Sequence, residues 1–152
     1  MSVNDTQDNI IEEFELFDNW MDKYNLLIDL GKNLPLIDPK FKTKEYLIEG
    51  CQSKVWLHPE YDGKKVSFTA DSDAIITKGI IALLIRVLSE RNPDEIISSD
   101  LYFIDRIGLR QNLSPTRSNG LLAMVRQIKL YAMAYRARTI VNNSLSGETG
   151  MS

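Results

Sequence analysis

The chain has 152 residues, 43% of them hydrophobic and 26% charged, with a formal net charge of −3, which fits one globular domain with a proper core. The acidic balance, with a pI near 5.2, argues against nucleic acid as the main partner, because duplex binding depends on neutralising phosphates with Lys and Arg. No apolar run approaches the roughly 20 residues of a membrane span, and one Cys and one His are too few for a structural zinc site or an all-cysteine cluster, each of which needs about four ligands.

The opening Met1-Ser2-Val3-Asn4-Asp5 lacks a basic region followed by an apolar stretch, so no secretory leader is expected and a cytoplasmic address is the default. A lone cysteine, Cys51, permits no internal disulfide and suits a reducing compartment. Charge is uneven along the chain: residues 1–18 hold six acids and no base, whereas Pro115 to Val141 holds five bases and no acid. Such runs read as solvated helix faces.

In chain order, Ile10, Phe14, Phe17, Met21, Tyr24 and Ile28 recur at helical spacing and predict one amphipathic helix over 7–30, capped by Asp5 or Thr6 and ended by Gly31 and Pro35. An irregular connection over 35–44 follows. Residues 53–57 and 65–70 read as antiparallel strands joined by a turn over 59–63, with Asp62-Gly63 its strongest signal. A further short strand is expected at 46–49. Ser72 or Asp73 is expected to cap a helix bearing Ile76, Ile80, Leu83, Leu84 and Val87. Asn92-Pro93-Asp94-Glu95 and Ser114-Pro115 each combine a cap with a first-turn proline and open two more helices. Leu121, Val125, Ile128, Ala132 and Tyr135 mark the buried side of the last one. A frayed polar tail is expected over 142–152. The expected fold class is α+β, with about three antiparallel strands packed against several helices.

Cys51 is the residue best placed for chemistry. It lies in Glu49-Gly50-Cys51-Gln52-Ser53, where Gly50 permits a tight turn and Gln52 and Ser53 keep the surroundings polar. A cysteine on a polar loop is accessible, as thiolate chemistry requires. His58 is separated from it by an apparent strand, roughly 20 Å at about 3.3 Å per residue, so a Cys–His hydrolytic dyad is not expected. Without a resolving cysteine a thioredoxin-like cycle is excluded. What remains is a thiol that accepts a group from a partner that has already activated it, or a non-catalytic binding module or single-thiol redox sensor. Asp71-Ser72-Asp73 reads as helix capping rather than a magnesium site. Capping accounts for Ser114 and Pro115 but not for Arg117 and the small polar residues after it, so phosphate binding there stays open.

Gly50-Cys51-Gln52-Ser53-Lys54-Val55-Trp56, Ala70-Asp71-Ser72-Asp73-Ala74, Lys78-Gly79-Ile80-Ile81-Ala82 and Leu113-Ser114-Pro115-Thr116-Arg117-Ser118-Asn119-Gly120 resemble, in order and separation, the SufE family of cysteine desulfuration proteins. Leu30-Gly31-Lys32-Asn33-Leu34-Pro35 is similar as well. The resemblance implies a fold shared with the iron–sulfur scaffold proteins and a single domain over 1–141; the flexible tail expected over 142–152 on its polar composition departs from the family's pattern. It implies that Cys51 carries a persulfide received from a pyridoxal-phosphate cysteine desulfurase and passes sulfur toward an iron–sulfur scaffold. The pyridoxal phosphate would belong to the partner, and no cofactor or metal is expected in this chain. Gly50, Gln52 and Ser53 of the loop, with Asp71, Asp73 and Arg117, match regions near the partner surface.

Overall fold

The computed structural model describes the backbone of residues 1–151 and the side chains of residues 1–143. The amino-terminal segment forms two helices, α1 (Val3–Glu15) and α2 (Trp20–Gly31), rather than the single one expected over 7–30. Ser2 caps α1, with Asp5 answering as the third residue of a capping box. Asn19 caps α2 by accepting from the Asp22 N–H at 2.9 Å. The break over Leu16–Asn19 changes the phase of the apolar face. Met21, which an unbroken helix would bury, is 71% exposed, and Leu27 takes the core position instead.

The two strands β1 (Val55–Tyr61) and β2 (Val66–Ser72) pair antiparallel, with Val55 opposite Ser72 and Tyr61 opposite Val66. The ladder runs four residues beyond the expected end of the first strand, straight through Pro59. That proline lies opposite Phe68, whose N–H turns outward to Ser89 Oγ at 2.8 Å. Pro59 therefore occupies a pair that exchanges no ladder bonds, where its missing donor is harmless. The reversal shifts to Asp62–Lys65, where the Asp62 carboxylate accepts from the Lys64 and Lys65 N–H groups at 2.8 and 2.7 Å and Gly63 supplies φ +94°.

The third strand expected at 46–49 is reduced to one bridge, Leu47 to Trp56, because the chain turns away at Gly50 after the Ile48 N–H has bonded the Val55 carbonyl at 2.9 Å. On the far side, Pro35 to Ile37 runs beside β2, bonding Ala70 from both its carbonyl and its N–H. A 3₁₀ turn, Pro39–Phe41, interrupts the connection.

Helix α3 (Ile75–Leu88) is central: Ile80, Ile81, Leu83, Leu84, Val87 and Leu88 are each at most 1% exposed. The expected caps do not operate here. Ala74 holds the cap position without a side-chain bond, because the Asp73 carboxylate is already engaged by the Lys54 N–H at 3.0 Å. After α4 (Pro93–Ser98), with the expected Asn92–Glu95 capping box, and the short α5 (Phe103–Arg106), the chain enters α6 (Pro115–Met151). Leu121, Ile128 and Ala132 are fully buried on its inner side. The expected flexible tail over 142–152 falls on this helix's extension to Met151, whose side chains from 144 onward lie outside the described residues. Among the described residues, no helix is long and apolar enough to cross a membrane.

Helices α2 and α3 meet where glycine faces glycine. A Cβ on Gly31 would lie 3.0 Å from the Gly79 nitrogen, and one on Gly79 would fall onto the Leu27 carbonyl oxygen, 2.8 Å from Leu27 Cγ. The backbones can touch only because neither residue has a side chain. Gly79→Ala is therefore expected to lower the unfolding free energy by about 1–3 kcal/mol through overpacking. Gly63→Ala, with nothing within 4 Å, should lose only about 1 kcal/mol from its left-handed backbone. Urea titrations of the two variants measure the contrast, and equal losses would contradict it.

Candidate functional site

The loop that carries Cys51 is built by two glycines with different tasks. Gly50 adopts φ +92°, a conformation disfavoured for residues with a Cβ, and this turns the chain back over helix α6. A Cβ there would also press on Ala123 Cβ at 3.2 Å. Gly120, on α6, is the surface on which the cysteine rests. Its missing Cβ would sit 3.5 Å from Cys51 Sγ, and its carbonyl accepts from the thiol at 3.6 Å. The loop then leaves through Ser53 into β1, held at its exit by the Asp73 carboxylate on the Lys54 N–H and by the Asp73 N–H on the Lys54 carbonyl at 3.3 Å.

Cys51 is half-buried and lines a cavity of about 370 Å³ between its loop, α3 and the start of α6. Gln52, Ser114, Thr116 and Arg117 are exposed residues around its mouth, while Thr77, Ile80, Gly120 and Met124 are buried residues of its wall. Ser53 completes the loop side. Ser114 caps α6, accepting from the Arg117 N–H at 3.3 Å. Tyr24, whose hydroxyl donates to the Asn112 carbonyl, ties the segment leading into this cap to α2. Burial raises the Cys51 pKa above the ordinary thiol value, so at neutral pH the sulfur is held as a protonated thiol.

Of the residues singled out in the sequence, Cys51, Gln52, Ser53 and Arg117 are brought together on this cavity. Gly50 lies on the loop's other flank, beside Asn119, Ala123 and Arg126. Asp71 and Asp73 do not line the cavity. Burial opposes the charge of Asp71, but Lys42 at 2.6 Å, the Ser72 N–H and Lys78 at 3.3 Å outweigh it and hold the carboxyl below its usual range. Asp71 thus fastens the connection after α2 to β2 and α3, and Asp73 fastens the loop. His58 is stacked on Phe41, ring centroids 3.7 Å apart. Among the described residues no cluster of three metal-ligating side chains occurs. A larger cavity of about 620 Å³, walled mainly by Leu30, Leu34, Phe68, Leu83 and Ile85, lies between the end of α2, β2 and α3.

Thr77, Gly120 and Met124 have places in this site that the sequence reading did not assign. The available signal for Thr77 is its position three residues before Ile80, on the apolar face of an otherwise greasy helix.

A protein-family model, "SufE: Fe-S metabolism associated domain", matches residues 8–132. SufE-like protein 1, chloroplastic/mitochondrial, of Arabidopsis thaliana is 39% identical over 144 residues, which cover 94% of this chain and 38% of that protein. Two uncharacterized SufE-like proteins, from Rhizobium meliloti and Rhizobium etli, are 39% and 41% identical over 127 residues, covering 80% of this chain and 91% and 86% of theirs. The chain therefore spans little more than a third of the plant relative but most of each bacterial one. The solution structure of a hypothetical protein from Thermus thermophilus superposes with a TM-score of 0.72 at 19% identity, over 87% of this chain and 96% of that one, and shares the fold.

Because burial alone sets the thiol's acidity, alkylation of Cys51 by iodoacetamide should show a pH midpoint above that of a free thiol, returning to the ordinary value in urea. Folding makes this proton harder to remove. The associated stability is complete below the ordinary thiol value and is lost as pH rises through the raised native one. Unfolding titrations at increasing alkaline pH should show a decline that Cys51→Ser reduces; an unchanged decline would mean that the sulfur is not held in this way.

Proposed function

Starting from the fact that this chain belongs to the SufE family, whose domain is associated with Fe-S metabolism, we propose that it accepts persulfide sulfur on Cys51 from a pyridoxal-phosphate cysteine desulfurase and passes that sulfur toward an iron–sulfur scaffold. The observation that carries this reading is the position of Cys51: a single thiol on a glycine-turned loop, half-buried at an open cavity, with no second cysteine in the chain.

In the transfer, the Cys51 sulfur attacks the terminal sulfur of the desulfurase persulfide. A new S–S bond forms to Cys51, the bond inside the donor persulfide breaks, and the donor cysteine departs with its electron pair. No external oxidant or reductant is consumed. The proton that Cys51 must shed has no imidazole to receive it, since His58 is stacked away on Phe41. The departing thiolate of the donor is the natural acceptor. An isolated Cys51, kept as a thiol by burial, is then a poor nucleophile until docking changes its surroundings. That property suits an acceptor that should react with one partner rather than with any electrophile in the cell.

The same property speaks against a peroxide sensor, because such cysteines are acidic and open to solvent. Gly50 is the residue about which the loop turns. Arg117, at the cavity mouth, is a cation available to a persulfide anion. Gln52 and Ser53 are the polar groups a docking partner meets first. A lone thiol with no disulfide partner also fits a reducing, cytoplasmic setting.

Incubation with a cysteine desulfurase and free cysteine should add one sulfur, about 32 Da, to the intact mass, removable by reductant and absent in Cys51→Ser. The same variant should fail to stimulate sulfide release by the desulfurase. Equal stimulation by Cys51→Ser would end the acceptor reading.

A further inference from the structure

The wall of the Cys51 cavity is uneven in a way that the transfer reaction does not by itself explain. Its buried side is apolar at Ile80 and Met124, each 1% exposed, yet it also includes Thr77, a polar residue only 6% exposed. Threonine on a helix usually returns its hydroxyl to the carbonyl four residues earlier. Among the described residues the Thr77 side chain makes no hydrogen bond: it is the third residue of α3, and the residue four earlier, Asp73, precedes the cap at Ala74. Among the described residues the buried side-chain oxygen that lacks a partner is Glu13 Oε2, not Thr77 Oγ, so this hydroxyl is unbonded yet not sealed off, and it is left open to the cavity its residue lines. The other hydroxyls lining the cavity, on Ser53, Ser114 and Thr116, sit on its half-buried or exposed rim rather than on the buried wall.

We infer that Thr77 is the hydrogen-bond donor for the terminal sulfur of a Cys51 persulfide, which extends from Sγ into the cavity toward the buried wall of α3. This rests on the reading of Cys51 as a sulfur acceptor. The species held is Cys51 Sγ–S⁻, formed when Sγ takes the sulfane sulfur and the donor cysteine leaves with the electrons of the broken S–S bond. Thr77 exchanges no proton; its Oγ–H points a dipole at a sulfur anion that Ile80 and Met124 cannot solvate. Arg117 is the charged residue lining the cavity, on α6 and at its exposed mouth, while Glu49, Lys54 and Asp73 flank the loop without lining it. The division of labour follows from exposure. Arg117 meets the anion where water competes, and Thr77 meets it where water is excluded.

The test separates this inference from the transfer reading by loading Cys51 with inorganic polysulfide, without any desulfurase. The rate at which iodoacetamide alkylates the loaded sulfur is then followed by mass against pH. Thr77→Val, which keeps shape and removes the donor, should raise the midpoint by about one pH unit, the size expected for one hydrogen bond to an anion. Thr77→Ser should keep the wild-type midpoint. Should Thr77→Val fail to fold, Thr77→Ala provides the same midpoint measurement. An unchanged midpoint without the hydroxyl, or a shift reproduced by Thr77→Ser, overturns the inference. If the midpoint shifts with polysulfide while no desulfurase can load Cys51, the persulfide pocket stands and the proposed donor is wrong.

Discussion

The backbone approach of α2 to α3 at Gly31 and Gly79 is the constraint from which the remaining geometry follows. With no Cβ between them, α2 can lie against α3 closely enough for Leu27 to be fully buried, and α3 becomes a helix covered on nearly every side. Such a helix is a rigid reference. The sheet packs on it through Val55, Leu57, Phe68 and Ala70, each at most 2% exposed, and α6 closes over it with Leu121 and Ile128. Interiors at crystal-like density transmit displacement rather than absorb it, so a bulge at Gly79 would move the floor of the cysteine cavity as well as α2.

On that frame the cysteine is placed by subtraction. Gly120 removes the side chain on which Sγ would otherwise collide or slide, and Gly50 supplies a backbone angle that side-chain-bearing residues rarely adopt. The electrostatics run opposite to those of a self-activated thiol. A helix start and Arg117 lie at the same cavity, and both would favour a thiolate if they dominated. Burial is nevertheless the influence that sets the direction, upward. Solvent at the exposed mouth weakens the cation.

The legible part of this structure was local and punctuated. The caps at Asn92 and Ser114 could be read because a capping side chain followed by a proline has one physical meaning, reinforced at Asn92 by an acid at the third helical position, and both operate as expected. The α+β class followed from the order of the periodic segments. The single helix over 7–30 failed because apolar periodicity continued by chance across Leu16–Asn19, where Asn19 restarts the helix in a new phase. The third strand failed because one ladder bond from Ile48 could not be distinguished from several. Within the site, Cys51 could be found by being the sole cysteine, and its cavity neighbours on the same loop came with it. Thr77 and Gly120 could not be assigned, since their roles depend on α3 and α6 meeting the loop in space. Asp71 and Asp73, matched by resemblance to regions near a partner surface, lie off the cysteine cavity, where their carboxylates fasten strands and connections.

Those fastenings bear on how a foreign sulfur could reach Cys51. The loop is tied at its entrance by the Ile48 N–H on the Val55 carbonyl and at its exit by the paired bonds of Lys54 and Asp73. Between the ties lie residues 49–53, anchored to the rest of the protein chiefly by the weak bond from Sγ to the Gly120 carbonyl. A sulfur donor is a weak one and its bond is easily exchanged. Lifting Cys51 from α6 therefore breaks one such bond and uncovers one half-buried side chain, while the ladder, the α2–α3 contact and the core stay intact. The chain thus confines any exposure of its thiol to five residues and leaves the floor of the cavity, with Thr77, Ile80 and Met124, where it was before the loop moved.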